Sequence, residues 1–333
     1  MSNLEAAPVE LAGRGGQPGV AGVEVLTARD VPLGGPRAMR VRRTLPQRER
    51  SLIGAWCFAD HYGPDDVTVG TPMDVAPHPH TGLQTVSWLF SGEVEHRDSL
   101  GTHALVRPGE LNLMTSGHGI CHSEVSTPTT TVLHGVQLWV ALPAADRDGA
   151  RDFRHYAPPA VDLAPAGPGR ATARVFLGTL AGSESPVPTY SPLLGAEIVL
   201  GAHARLSLPV DPTYEHGVLV DAGPVGLAGT RLERSELGYQ PPGAGTVELA
   251  NLGGAQARVL LLGGTPFTEE IVMWWNFVGR SHEEIEAFRQ AWQDEDDQFG
   301  RVEGYPGTPQ RLPAPPMPMA RLKPRTIKPR SAG

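Results

Sequence analysis

Along the first half of the chain, short strand-like runs follow one another, some with apolar and polar side chains alternating, as in Met39–Arg42: Val23–Leu26, Met39–Arg42, Gln84–Phe90, Ala104–Val106, Leu111–Met114 and Val132–Leu142. A period of two is that of a strand with one buried face. Ser91-Gly92, Pro108-Gly109 and Ser116-Gly117 separate the runs, as turn residues do. The same texture returns at Ala173–Leu177, Ala196–Leu200, Ala204–Leu208, His216–Val220 and Ala257–Leu262. Strands at this spacing, with no helical stretches between them, predict an all-β chain built as antiparallel sandwiches or barrels. Two such blocks predict a duplicated barrel, although no sequence repeat is visible. Near the C-terminus the period changes. Ser281 with Glu284 three residues later forms a capping-box pattern, and Ile285, Phe288 and Trp292 then fall on one face. A helix over 281–294, packed on a barrel, is predicted.

These patterns divide the chain into a disordered start at 1–22, a first barrel at 23–156, a linker at 157–170, a second barrel with the helix at 171–298, and a proline-rich tail at 299–333. Forty glycines and 33 prolines against 6% aromatics fit many turns and short strands. The net charge of −8 gives no general case for nucleic-acid binding. The charge is uneven, however. Beyond Gly304 stand Arg311, Arg321, Lys323, Arg325, Lys328 and Arg330 with no acidic residue, leaving a body of 22 basic and 36 acidic residues at −14. Such a tail is expected to be solvated and mobile, or to lie back on its own chain. Two cysteines, Cys57 and Cys121, make no disulfide framework, so a reduced, cytoplasmic protein is expected. No secretory signal pattern and no apolar run of about 18 residues occurs, and no membrane association is expected.

The candidate chemistry lies in two short segments. In Pro77-His78-Pro79-His80, residues two apart share a face if the segment is extended, about 6.6 Å apart along the chain. Two imidazoles so placed can converge on one ion. Pro79 cannot donate to a sheet ladder, so the pair belongs at an edge, strand start or bulge. His122 and Glu124 repeat the spacing in Ile120-Cys121-His122-Ser123-Glu124. Cys121 then points away from the ion and reads as a packing residue. One His-x-His among twelve histidines is a weak signal. Two His/acid pairs on strands of one barrel rarely coincide without a ligand. Three neutral imidazoles and one carboxylate suit a first-row divalent metal, with positions left for water, oxygen or a chelating substrate.

Longer strings carry a resemblance. His78-Pro-His-x-Gly-x-x-Thr-Val86, followed by Pro108-Gly-x-x-x-x-Met-Thr-x-Gly-x-Gly-x-x-His-x-Glu124, resembles the pirin family of two-barrel cupins (bicupins). Asp60-His61-Tyr62-Gly63-Pro64, His96-Arg97-Asp98-Ser99-Leu100-Gly101, His134-Gly135-Val136-Gln137-Leu138-Trp139, Ile271–Phe277 and Ser281–Glu284 match it too. The resemblance implies one metal in the first barrel, held by His78, His80, His122 and Glu124. Iron(II) is the first expectation, with manganese, cobalt, nickel, copper and zinc as alternatives. Two positions depart from the family pattern: Gln84 stands where cupins carry glutamate, and His118 where relatives often carry arginine. Both are candidates for the substrate pocket. Gln137 is a third, facing either the pocket or a cross-strand partner. Asp60 and His61 either stabilise a turn or act in catalysis, while Trp274 and Trp275 fill core space. His203 and His216 are isolated, so the second barrel is expected to be metal-free.

By the same resemblance the chain is expected to be a dioxygenase that opens flavonols such as quercetin with O2, Glu124 taking the hydroxyl proton. The alternative is a metal- and redox-sensitive regulator that binds a protein partner, a transcription factor or a metabolic enzyme. A monomer is expected in either case.

Overall fold

The computed structural model describes residues 22–33, 39–70 and 72–324. The disorder expected over 1–22 therefore falls, Gly22 apart, outside the described residues, as do Arg325, Lys328 and Arg330 of the tail. In chain order the strands are β1 (Glu24–Thr27), β2 (Arg29–Leu33), β3 (Met39–Leu45), β4 (Trp56–Asp66), β5 (Asp74–His80), β6 (Leu83–Ser91), β7 (Val94–Asp98), β8 (His103–Val106), β9 (Leu111–Thr115), β10 (Ile120–Ser126), β11 (Val132–Ala141) and β12 (Asp152–Tyr156). There follow β13 (Val161–Leu163), β14 (Ala171–Leu177), β15 (Thr179–Leu180), β16 (Ser183–Glu184), β17 (Leu193–Leu200), β18 (Arg205–Pro209), β19 (Glu215–Ala222), β20 (Val225–Leu227), β21 (Thr230–Leu232), β22 (Glu236–Gln240), β23 (Thr246–Asn251) and β24 (Ala257–Gly264). A hairpin, β25 (Val272–Trp274) and β26 (Phe277–Gly279), precedes helix α1 (His282–Gln293). Among the described residues no helix is long and apolar enough to cross a membrane.

Both halves repeat one plan, a seven-stranded sheet facing a four-stranded one. The first pairs β12-β9-β6-β11-β4-β3-β2 with β5-β10-β7-β8, and the second pairs β1-β22-β19-β24-β17-β14-β13 with β18-β23-β20-β21. The duplicated barrel inferred from strand texture is therefore present. The two large sheets pack back to back. Trp56, Val86, Trp88 and Leu138 of the first interdigitate with Phe176, Leu219, Leu260 and Leu262 of the second. The two indole N–H groups that cross this layer find partners. The Trp88 indole donates to Glu197 at 2.7 Å, and the Trp56 indole to Leu194 O at 3.1 Å. Gly54 (φ +52) lets the chains touch, since a Cβ there would stand 2.7 Å from Gly264 Cα.

Three features depart from the sequence boundaries. First, β1 belongs to the second barrel, paired with β22, although it precedes the first barrel in the chain. Second, the linker 157–170 contains β13, which extends the second large sheet beside β14. Third, α1 packs on the first barrel: Ile285 and Trp292 join a cluster with Val75, Ala76 and Cys121. Ser281 caps the helix by accepting from Glu284 N. The returning half of the capping box is displaced by one residue, because the Glu284 carboxylate accepts from Arg280 N. The described part of the tail also lies on the first barrel, with Tyr305, Leu312 and Ala314 buried there and the Arg311 guanidinium over the Trp292 ring at 3.9 Å.

Strand β4 is the element that the hydrophobic pattern hid. Its text, Trp-Cys-Phe-Ala-Asp-His-Tyr-Gly-Pro-Asp-Asp, has the look of a turn, yet it runs through the middle of the large sheet between β11 and β3. Its polar groups are tolerated because each finds a partner. Asp60 receives Arg43 in a bidentate pair at 2.7 and 2.8 Å inside the barrel. His61 points the other way, to Asp221 of β19 at 2.7 Å. Neither residue stabilises a turn.

Breaking the buried Arg43–Asp60 pair from one side leaves an uncompensated charge. Asp60→Ala is expected to cost about 3–5 kcal/mol in denaturant unfolding. Buried histidines of both barrels add a pH dependence. Burial pushes the His216 imidazole down to about 4 and also lowers His61, in spite of its bond to Asp221. The unfolded chain binds protons that these folded rings refuse, so their contribution to stability is complete above about pH 6.5 and is lost progressively below it. The melting temperature is expected to fall between pH 7.5 and 5, and to fall less in His216→Leu, whose parent ring nitrogens are buried without hydrogen bonds.

Candidate metal centre

The small sheet of the first barrel carries the histidines. β5 is its edge strand, so Pro77 and Pro79 remove no ladder bond, and the free edge is covered by the tail, where Leu312 N donates to Pro77 O at 2.8 Å. β5 pairs with β10 so that His122 stands directly opposite His78, with a register shift before Glu124. Directly paired residues share a face, as do residues two apart. His78, His80, His122 and Glu124 therefore project to one side, into the barrel. Gly82, at φ +66, turns the chain immediately after His80, and Val278 N of β26 closes on Thr81 O at 3.1 Å.

The three imidazoles are fully buried, and their ligand nitrogens lie within 4.8 Å of one another. Each ring is held by its Nδ1. His78 Nδ1 donates to Ala76 O at 2.9 Å and His80 Nδ1 to Asn276 O at 3.1 Å. A carbonyl can only accept, so the proton sits on Nδ1 and Nε2 keeps its lone pair. Burial drives the rings towards the neutral form, pushing His78 down to about 3 and His80 and His122 well below the ordinary histidine range. His80 Nε2 and His122 Nε2 then face each other at 3.1 Å, and His78 Nε2 is buried with no hydrogen-bond partner among the described residues. Opposed lone pairs in a dry interior repel one another unless a cation lies between them. The donor set thus fits a divalent metal.

The other predicted positions separate. Glu124 shares the face of His122, but its carboxylate is outside the tight trio, and Ser87 Oγ donates to it at 3.3 Å. Gln137, on β11, joins the same network through Ser87 at 2.9 Å. Gln84 does not. Three residues from Ser87 on β6, it falls on the opposite face with Val86 and Trp88, the face turned to the second barrel, and its amide donates to Thr115 Oγ1 at 2.9 Å. His118 is exposed in the turn before β10, its ring against Gly149 O. It belongs to neither the trio nor the Ser87 network. Cys121 faces away, as its alternation with His122 requires, and lines a cavity of about 250 Å³ with Trp292 and Arg311.

Two residues beside the imidazole trio were not assigned a site role from the sequence. On β7, His96 stands opposite Glu124, and Asp98 opposite His122. His96 Nδ1 lies 3.4 Å from His122 Nδ1, while its Nε2 meets Asp98 Oδ2 at 3.0 Å. The signal was available: His96-x-Asp98 repeats the two-residue spacing that marked the other pairs.

A second His/His/Asp group lies between the barrels, and here the chemistry differs. His61 Nε2 and His134 Nε2 both meet Asp221 Oδ1, at 2.7 and 2.5 Å, and Arg258 takes Oδ2 at 3.1 Å. Burial raises the Asp221 carboxyl, but the two imidazole bonds outweigh it and hold it well below the usual range. With both Nε2–H groups committed to the carboxylate, the cluster is satisfied internally. It ties two sheets together.

Comparison with known proteins gives one consistent answer. The Pirin family model matches residues 38–140, and that of the Pirin C-terminal cupin domain matches residues 195–299. A Pseudomonas aeruginosa protein bearing the name "putative quercetin 2,3-dioxygenase" is 45% identical over 88% of this chain and 90% of its own. A pirin-like protein of Caulobacter vibrioides is 36% identical over 81% and 92%. The crystal structure of a quercetin 2,3-dioxygenase from Acinetobacter baumannii superposes with a TM-score of 0.84 at 35% identity, covering 91% of this chain and 98% of that one.

If the imidazoles converge on an ion, protein reconstituted with iron(II) or nickel(II) will carry about one metal per chain by elemental analysis, and His80→Ala less than a tenth of that. Chelation should lower the melting temperature of the wild type, since a ligand bound only by the folded state stabilises it, and should leave that of the variant unchanged.

Proposed function

We propose that this chain, which belongs to the pirin family of two-barrel cupins, is a metal-dependent dioxygenase acting on flavonols such as quercetin. His78, His80, His122 and Glu124 would hold the ion, with iron(II) the first choice. The observation that carries this reading is the set of buried imidazole lone pairs turned towards one point beside a carboxylate. An ion bound there would supply Lewis acidity towards a hydroxyl-bearing substrate and one-electron chemistry towards dioxygen.

The protein's own groups account for the rest. Glu124 is the buried base on that face and would accept the proton of the substrate hydroxyl. Ser87 lies between Glu124 and Gln137, at 3.3 and 2.9 Å, so a proton gained by Glu124 can be answered by rotation of one hydroxyl hydrogen. Beside His80, at 5.3 Å, lies the indole of Trp139, itself stacked on Phe58 at 4.0 Å. An aromatic wall of this kind would suit a planar aromatic substrate. Gln137 Nε2 and Trp139 Nε1 are buried without hydrogen-bond partners among the described residues, two donors available to phenolic or keto oxygens.

Loss of flavonol absorbance under oxygen, with release of carbon monoxide, is the direct assay. Turnover is expected with at least one of iron, manganese, cobalt, nickel or copper. His80→Ala should abolish it, and Glu124→Gln should lower kcat by about 10²–10⁴-fold. Failure of every metal-loaded form to consume quercetin overturns the proposal.

A further inference from the structure

His96 and Asp98 lie in the barrel interior next to the metal ligands, and neither is itself placed to be one. Asp98 is 1% exposed, and both of its oxygens are engaged. Oδ1 takes the backbone N–H groups of Leu100 and Thr102 at 2.9 and 3.1 Å, and Oδ2 takes His96 Nε2 at 3.0 Å. A carboxylate with this role can only accept, which puts the His96 proton on Nε2 and leaves a lone pair on Nδ1. That lone pair faces His122 Nδ1 at 3.4 Å. His78 and His80 use fixed backbone carbonyls for the same purpose. His122 alone of the three depends on a side chain, and that side chain is itself oriented by a third. The His96 ring is kept in place by Phe153, 4.9 Å away at 33°.

We propose that Asp98 and His96 are positioning residues that fix the proton of His122 on Nδ1, and thereby set how tightly the first barrel binds its metal. The inference rests on the reading of the trio as a metal site. Its physical content is tautomer control. If His96 presents Nδ1–H instead of a lone pair, His122 must turn its own Nδ1 into an acceptor, and the proton moves to Nε2, the atom required for the ion. An outer carboxylate that orients a ligating imidazole is worth about 10–100-fold in metal affinity.

The substitution Asp98→Asn is the sharpest test. The Asn side-chain oxygen still accepts from Leu100 and Thr102, so the turn is kept, while its amide now donates to His96 Nε2 and selects the wrong tautomer. Nickel(II) or cobalt(II) affinity by chelator competition, and the cobalt(II) ligand-field spectrum, are the readouts. Asp98→Asn and His96→Leu are expected to weaken binding by about 10–100-fold with an altered spectrum. His96→Gln, whose amide N–H can donate to Asp98 Oδ2 and so leave its oxygen to accept from His122 Nδ1, should stay within a few-fold of wild type. Equal losses in the Gln and Leu variants, or wild-type affinity and spectrum in His96→Leu and Asp98→Asn, overturn the proposal while the metal site stands. A wild type that binds neither metal overturns both.

Discussion

Three neutral imidazoles pressed together in a dry barrel are the constraint around which the first domain is arranged. Each ring brings one proton and one lone pair, and the surroundings decide which nitrogen carries which. Ala76 O, Asn276 O and His96 Nδ1 take the three Nδ1 sides, so the remaining nitrogens confront one another. Such an arrangement costs free energy in a bare protein, since burial without partners penalises every polar atom involved. A cation bound between the rings would offset that cost. Stability and function meet in the same few atoms.

The scaffold answers this demand with segments drawn from far along the chain. Asn276 belongs to the turn of the hairpin that follows the second barrel, where Trp275 holds a left-handed backbone conformation (φ +52). The tail covers the edge of β5, and α1 seals the outer side with Ile285 and Trp292. In exchange, β1 from the start of the chain completes the large sheet of the second barrel. Each barrel is thus finished by residues from the other's end of the sequence. The second barrel has a structural part in the site, because the hairpin that carries Asn276 follows directly from its last strand, β24.

Between the barrels the same residue types do the opposite work. His61, His134 and Asp221 resemble a metal-binding set in composition, but their hydrogen bonds close on themselves, with Arg258 on the remaining oxygen. The distinction lies in where the protons are: donors spent on a carboxylate leave nothing for an ion, whereas donors spent on carbonyls and a neighbouring imidazole leave lone pairs pointing inwards. Clusters of histidine and aspartate therefore carry chemical meaning only together with their hydrogen bonds.

Strand alternation, a local property, was legible in the amino-acid sequence, and with it the all-β class, the doubled barrel, the helix at 282–293 and the two pairs His78/His80 and His122/Glu124. Spacing of two was sufficient because side-chain direction along an extended segment follows from backbone geometry alone. What required the folded chain was anything set by register or by distant partners. The polar text of β4 reads as a turn until Arg43 and Asp221 supply partners for Asp60 and His61. Gln84 and His118 read as pocket residues by their place in a motif, but strand parity turns the first to the second barrel and an exposed turn carries the second away. His96 and Asp98 gain significance only when β7 pairs with β10. The one-dimensional pattern determined which side chains can share a face; only long-range pairing decided which faces meet.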